Sequence, residues 1–264
     1  MKTNIWKHIL AVRAQSPLVH NITNHVVMNN TANALLAIGA SPIMAHARQE
    51  IDEMVELCQV LVVNIGTLDE VWVDAMLQAA RQAQSLNKPW ILDPVGAGAT
   101  SYRDQVLADL ITLRPTAIRG NASEILALAH SNQSQTKGVD STAQSQEALT
   151  AAQSLHELTG AVVGISGATD FIVSDQPVVK VHNGTPLMTR VTGLGCTATA
   201  LIGAFLAVVE NKTEAMVAAT ALLSLAGEIA EKTSNGPGSL QMNILDKLHN
   251  LTSAEFENTL RIEC

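Results

Sequence analysis

The sequence predicts an α/β fold, with a mostly parallel central sheet flanked by helices on both faces and a single domain over residues 1–264. Three observations lead there. Short apolar runs such as Val60-Leu-Val-Val-Asn64, Pro89-Trp-Ile-Leu-Asp93 and Gly160-Ala-Val-Val-Gly-Ile165 have the length and β-branched content of strands buried on both faces. Longer helical stretches alternate with them in βαβα order. Aromatic residues make up only 3% of the chain while alanine, leucine and valine abound, which suits helices packed closely on a parallel sheet.

Taken in order, the first expected helix runs from about Asn4 to Gln15, with Ile5, Ile9 and Val12 on one stripe and Pro17 ending it. The polar stretch His20-Asn-Ile-Thr-Asn-His25 then leads into a second helix that reaches Ile38, where Gly39 is placed as its stop. Thr23 or Asn24 reads as the N-cap of that helix. A short strand or loop, Ser41 to Met44, follows. Strand Val60–Asn64, helix Leu68–Leu86, strand Pro89–Asp93 and helix Ser101–Thr112 come next. Ala117-Ile118 starts another strand, Ala122 to Ala129 a helix, and Thr142 to Leu158 a longer helix beyond a polar loop rich in serine and glutamine. After the strand Gly160–Ile165, Phe171-Ile-Val173 and Val178-Val-Lys-Val181 read as a hairpin. Helices from Cys196, from about Ala215, and from Leu240 to Leu251 complete the chain. No repeat of 20 to 50 residues and no Pro- or Gly-rich linker divides it.

Composition excludes several classes of function. The net charge of −8 is spread without blocks of like charge, and no lysine/arginine cluster offers a nucleic-acid footprint. Cys58, Cys196 and Cys264 are odd in number, far apart and without metal-ligand spacing, which argues against a disulfide frame or zinc site and for a reducing cytoplasm. Lys7, His8 and Arg13 interrupt any signal-peptide core. The longest apolar run, around Ala198 to Val209, is shorter than the roughly 18 residues of a membrane span. A soluble protein is expected.

In open parallel sheets, ligands bind at the carboxyl ends of the strands, so polar residues there carry the interest. Asp93 closes its strand and precedes Pro94-Val-Gly-Ala-Gly-Ala-Thr100, a small-residue loop through which a metal or phosphate could approach. The same residues suit a plain Asp-Pro turn. Asn121 and Glu124 share one face of a first helical turn, which fits magnesium and equally an N-cap with dipole compensation. Arg119 ends a strand, where its guanidinium is well shaped for polyphosphate. Ser166 and Gly167 end another strand with a hydroxyl and open backbone, features that a simple turn shares. His20 and His25, five residues apart, lack the spacing of a helical metal pair.

The run Val191-Thr-Gly-Leu-Gly-Cys-Thr-Ala-Thr-Ala-Leu201 reads two ways. Gly193 and Gly195 can turn the backbone so that its N–H groups and the positive end of the next helix hold a phosphate, with Cys196 at the mouth. It can also be a glycine turn before a buried helix with a core cysteine.

Together the motifs are more specific than any one alone: Pro17-Leu-Val-His-Asn-Ile-Thr-Asn24, Gly39-Ala-Ser-Pro-Ile-Met44, Asn64-Ile-Gly-Thr67, Asp93-Pro-Val-Gly-Ala-Gly98, Arg119-Gly-Asn-Ala-Ser-Glu124 and Thr192-Gly-Leu-Gly-Cys196. In this ordered set the chain resembles the hydroxyethylthiazole kinases of the ribokinase-like superfamily, from about His20 to the final helices. The resemblance implies transfer of the ATP γ-phosphoryl group to the alcohol of 4-methyl-5-(2-hydroxyethyl)thiazole in thiamine salvage. It implies Arg119 and Ser166 as ATP-binding residues, Asp93 and Glu124 serving Mg2+ and the phosphates, and Met44 and Gly193 lining the thiazole site. A homotrimer with that pocket near the subunit boundary is also implied. Family members often carry threonine where Ser166 stands, so a methyl contact is missing here. The wider superfamily usually has aspartate where Cys196 stands. A thiol of ordinary pKa near ~8.5 is a weak base at neutral pH; a helix terminus lowers that value and bound ATP raises it again. The alternatives are a related alcohol kinase, such as one acting on hydroxymethylpyrimidine, or a binding protein without turnover.

Overall fold

The computed structural model describes residues 2–131 and 141–264. Helix α1 (Lys2–Gln15) leads into strand β1 (Leu18–Ile22), then α2 (Met28–Ala37), β2 (Ser41–Ile43), α3 (Ile51–Leu57) and β3 (Val60–Asn64). Next come α4 (Glu70–Ser85), β4 (Trp90–Asp93), α5 (Ser101–Ile111), β5 (Ala117–Asn121), α6 (Ala122–Ser131), α7 (Ser141–Thr159) and β6 (Val162–Ser166). The chain continues through β7 (Asp170–Val173), β8 (Val179–Val181), a 3-10 turn (Pro186–Arg190), α8 (Leu194–Leu206) and α9 (Lys212–Glu231), and ends with α10 (Pro237–Asn250), α11 (Ser253–Thr259) and β9 (Ile262–Glu263).

One nine-stranded sheet takes the order β2-β1-β3-β4-β5-β6-β7-β8-β9. Neighbours from β2 to β6 pair parallel, and β6 to β9 pair antiparallel. Six strands therefore end along one edge, and the residues that follow them share it. Alternate residues of each strand enter two separate cores. Val19, Val62, Ile91 and Ala117 pack under α1, α2, α8, α9 and α10, whereas Leu61, Val63, Leu92 and Ile118 pack under α3 to α7. This is the α/β class expected, with helices on both faces.

Helix α8 reaches the sheet because its packed side is nearly bare. A Cβ on Gly203 would lie 2.7 Å from Val62 Cγ2, so only glycine lets the helix axis descend onto β3 at this point. That descent delivers the N-terminus of α8 to the carboxyl edge of β3 and β4. Helix α9 is long and apolar enough to cross a membrane, but 78% of that window is buried inside the fold, which marks a core helix.

Several local expectations need correction. Leu18–Ile22 is a strand paired on both sides, next to the edge strand β2, and hidden in the sequence because His20 and Asn21 break its apolar pattern; both are buried, and His20 Nε2 bonds the Ala45 carbonyl at 2.8 Å. Neither Thr23 nor Asn24 caps α2: the helix begins later, at Met28, and its N-cap Val27 makes no side-chain bond. Helices α3 and α11 and strand β9 were not anticipated; each is seven residues or shorter, below the length at which periodicity is readable. Helix α9 starts at Lys212 rather than Ala215, with Asn211 accepting from the Glu214 amide at 3.0 Å. The hairpin forms as β7 and β8, and Gly39 stops α2 at φ +87°. The polar loop expected before α7 lies outside the described residues.

Candidate active site

The carboxyl edge of the sheet opens into a cavity of about 850 Å³. Asp93, Arg119, Glu124, Ser166, Gly193 and Cys196 all line it. The structure thus gathers six of the seven expected site residues. Met44 stands apart: it follows the edge strand β2, half-buried, at the same edge but outside this lining.

One wall is the mouth of α8. Gly193 is its N-cap at φ +80°, and no side chain caps the helix. Gly193, Leu194, Gly195 and Cys196 line the cavity, so the uncapped first turn faces open space, as anion binding requires. A Cβ on Gly195 would lie 2.9 Å from Arg119 Nη1. The guanidinium from β5 therefore lies against this turn, adding full positive charge to the partial charge of the helix end. The geometry is compatible with both readings of this run: the turn opens on the cavity, and the helix behind it is buried from Thr197 to Leu206.

The floor is a polar chain under Cys196. Asn64 Nδ2 donates to Asp93 Oδ2 at 2.6 Å, and Thr199 Oγ1, one turn into α8, donates to the same oxygen at 2.9 Å. Asn64 Oδ1 accepts from Gly66 N at 2.9 Å and from Asn24 Nδ2 at 2.8 Å. Asn24 Nδ2 also reaches Cys196 Sγ at 3.5 Å. Every polar atom of the Asn64 amide is used, so its orientation is fixed. Asn24, Asn64 and Thr199 were not among the expected site residues. Asn64 could have been found, because it ends an apolar strand as Asp93 does; Thr199 is a lone hydroxyl in an apolar helix, and nothing local marks it.

Electrostatics follow from burial. Asp93 is 2% exposed, and loss of water is the main force pushing its pKa up to about 6; Glu124 adds to the rise, while Arg119 and the bonds from Thr199 and Asn64 oppose it. Burial likewise pushes Cys196 up to about 11, with the Asp93 charge adding to it. The bonds from Asn64 and Asn24 and the charge of Arg119 act the other way but do not offset this rise, so Cys196 is a weak base at neutral pH, as expected.

Glu124 realises the capping geometry. Its Oε2 accepts from Asn121 N at 2.8 Å, and its N–H donates to Asn121 Oδ1 at 3.0 Å. Oε1 accepts from Gly96 N at 3.0 Å, tying the loop after β4 to α6. Each oxygen keeps a lone pair, and the residue lines the cavity. Ser166 Oγ donates to the Gly120 carbonyl at 3.3 Å. Asp170, also missed, sits across from Arg119; its Oδ1 accepts from Gly167 N at 3.0 Å and its Oδ2 from Ser224 Oγ at 3.3 Å, and burial pushes its pKa up.

The model of the hydroxyethylthiazole kinase family matches residues 9–254. The chain is 55% identical to the hydroxyethylthiazole kinase of Syntrophus aciditrophicus, over 98% of this chain and 96% of that one. It is 53% identical to that of Leptospira biflexa, covering 97% and 96%. Among solved structures, a hydroxyethylthiazole kinase protein from Pyrococcus horikoshii superposes with a TM-score of 0.92 at 38% identity, covering 99% of this chain and 98% of that one. A pyridoxal kinase from Staphylococcus aureus, 13% identical with a TM-score of 0.67 over 93% and 97% of the two chains, shares the fold alone. With the family model spanning most of its length and near relatives matched end to end, the chain belongs to the hydroxyethylthiazole kinase family.

Proposed function

We propose that the protein transfers the γ-phosphoryl group of ATP to the primary alcohol of 4-methyl-5-(2-hydroxyethyl)thiazole, a salvage step toward thiamine. One observation carries the reading: the uncapped mouth of α8, the Arg119 guanidinium and the buried Asp93 face one cavity. In the reaction the alcohol oxygen attacks the γ-phosphorus, the bond to the β–γ bridging oxygen breaks, and ADP leaves. The transition state is loose, so alignment and neutralisation of charge dominate. The amides of Leu194, Gly195 and Cys196 and the guanidinium of Arg119 accept the spreading phosphoryl charge, and the Ser166 hydroxyl and Arg119 orient the phosphates.

Cys196, held as a thiol with Asn24 at its sulfur, positions the alcohol rather than deprotonating it early. The alcohol proton is lost late, when phosphorus–oxygen bond formation has already acidified it, and passes to an oxygen of the transferred phosphoryl group or to water. Gly193 and Met44 are the thiazole contacts in this reading. Gly193 lines the cavity, whereas Met44 at the open edge of β2 is half-buried, as suits a residue whose surroundings a neighbouring subunit completes. A homotrimer fits that placement. The continuous sheet supports one domain, and the dispersed cysteines are compatible with a cytoplasmic enzyme.

Three carboxylates, Asp93, Glu124 and Asp170, line the cavity with one guanidinium, Arg119, an excess of negative charge that polyphosphate would worsen without a cation. No group of three or more His, Cys, Asp or Glu among the described residues forms a ready cage. Magnesium suits such a site, because it binds through one or two carboxylates with phosphates and water. Asp93 and Glu124 would hold it, and it would supply neutralisation of phosphate charge there. The test is direct: incubate pure protein with MgATP and either the thiazole alcohol or hydroxymethylpyrimidine, and quantify ADP and the phosphorylated product. Product from the thiazole alcohol is expected; turnover only of the pyrimidine, or of neither, overturns the proposal.

A further inference from the structure

The order of the strands gives the cavity a direction. Asn24 and Asn64, beneath Cys196, follow β1 and end β3; Asp93, Arg119 and Ser166 lie on β4, β5 and β6; Asp170 and Asn183 belong to β7 and the segment after β8. If the alcohol lies at Cys196 and the phosphates over Arg119 and Ser166, the nucleoside end falls toward β7 and β8. The wall there is Asn183, Gly184 and Thr185.

That wall is held from behind by charge. Glu228 and Glu231 lie one turn apart on α9. Glu228 Oε2 accepts from Asn183 Nδ2 at 3.0 Å and from Gly184 N at 3.2 Å, and Glu231 Oε1 accepts from Thr185 Oγ1 at 2.5 Å. Glu228 is itself forked by Arg261, with Nη1 to Oε1 at 2.7 Å and Nη2 to Oε2 at 2.8 Å. Arg261 Nη2 also reaches the His182 carbonyl at 2.9 Å. Asn183 closes the circuit: it is 5% exposed, its Oδ1 accepts from Arg261 N at 2.8 Å, and its Nδ2 donates to the Thr259 carbonyl at 2.9 Å. Burial acts to raise the pKa of Glu228, yet the bonds from Arg261, Asn183 and Gly184 hold it below the ordinary carboxylate value. Exposed ion pairs are usually weak, but a bidentate pair inside a fully bonded network is the exception.

We propose that Glu228 and Arg261 are positioning residues for the nucleotide. They do not line the cavity; they fix the Asn183–Thr185 backbone at the place where the nucleoside end of ATP packs. This rests on the ATP reading of the cavity given above. A positioning role makes a specific split in the kinetics, because the phosphate and alcohol ends are built from other strands.

The experiment uses R261M, R261K and E228Q, with E263Q as control. Glu263, on β9 beside Arg261, pairs with Lys180 at 2.6 Å and with the His182 imidazole at 3.4 Å, and it makes none of the bonds to Asn183, Gly184 or Thr185, so E263Q reports the docking of β9 alone. R261M and E228Q should raise KM for ATP about tenfold, the scale of one charge-assisted hydrogen bond. Their kcat should stay within about threefold, and KM for the alcohol should not move. R261K, which keeps the charge and loses the fork, should fall between R261M and wild type; E263Q should match wild type. Unchanged KM for ATP in folded R261M and E228Q overturns the proposal, as does a parallel shift of kcat and both KM values. Should R261M fail to fold, E228Q and R261K decide. Calorimetric titration with MgADP gives an independent reading: weaker binding by the variants than by wild type is expected, and equal binding overturns the clamp. If wild type shows no turnover, the functional reading fails while this titration still tests the clamp.

Discussion

Replacing Gly193 with alanine probes the mouth of α8 through two separable penalties. The residue sits at φ +80°, a conformation that costs an ordinary L-residue about 1–2 kcal/mol. A new Cβ would also lie 2.5 Å from Val27 Cγ1 and 3.3 Å from Val27 Cβ. Val27 is 2% exposed and β-branched, so it has no free rotamer to escape into. Restoring an ordinary separation of 3.4 Å or more moves one of the two by about 1 Å. A displacement of that size where the amides meet migrating phosphate is worth about 10²-fold in rate. G193A should therefore lower kcat/KM for the thiazole alcohol about 10²-fold, measured by coupled ADP release at saturating MgATP. The double variant V27A/G193A removes the 2.5 Å overlap and leaves the backbone strain, so it should recover about tenfold of the loss when compared with V27A alone. V27A itself opens a cavity and should cost about 1–3 kcal/mol of stability in a thermal melt. G193A within about threefold of wild type refutes the claim that this backbone meets the substrate; a double variant no better than the single refutes the role given to Val27.

Asp93 has a pKa raised to about 6 from an unfolded value of 3.8, so between those values the folded state binds more protons. Stability therefore rises as pH falls through that window, and the ionised carboxylate is a burden above it, about 3 kcal/mol at most. D93N can still accept from Asn64 and Thr199; it should melt higher than wild type at pH 8, converge with it near pH 4, and lose detectable turnover, and a lower melt at pH 8 would reject this account. Wild-type kcat/KM should fall on the acid side with an apparent pKa near ~6, read from a pH profile. N64D places a second carboxylate 2.6 Å from Asp93 Oδ2 and should move that limb upward by about one unit or more; an unmoved limb would show that the two residues are not coupled. C196A should lose about 10- to 10²-fold in kcat and retain measurable activity, since a thiol held at about 11 is a poor base; complete loss, or an alkaline limb below pH 9 that the variant abolishes, would make Cys196 the true base.

The class of fold was legible because buried parallel strands and their covering helices differ in length and period. Asp93, Arg119 and Ser166 were legible for a related reason: each ends or nearly ends such a strand, and strand ends converge on one edge. Gly193 was visible as glycine ahead of a helix. His20 and Asn21 concealed a strand, because polar residues buried within a sheet give the same local pattern as a loop. Short elements such as α3 carry too few turns to show a period.

What only the tertiary structure decided is what depends on residues distant in sequence. Asn64 and Thr199 meet Asp93 from 29 and 106 residues away, and no local pattern carries that coincidence. The pKa of Cys196 rises because burial and the Asp93 charge outweigh the bonds from Asn64 and Asn24 and the charge of Arg119, a balance set by packing and not by the order Gly-Leu-Gly-Cys. Sequence order fixed which chemical groups stand at the ends of strands; the pairing of those strands, and the descent of α8 onto them at Gly203, determined which groups touch and how much water remains around their charges.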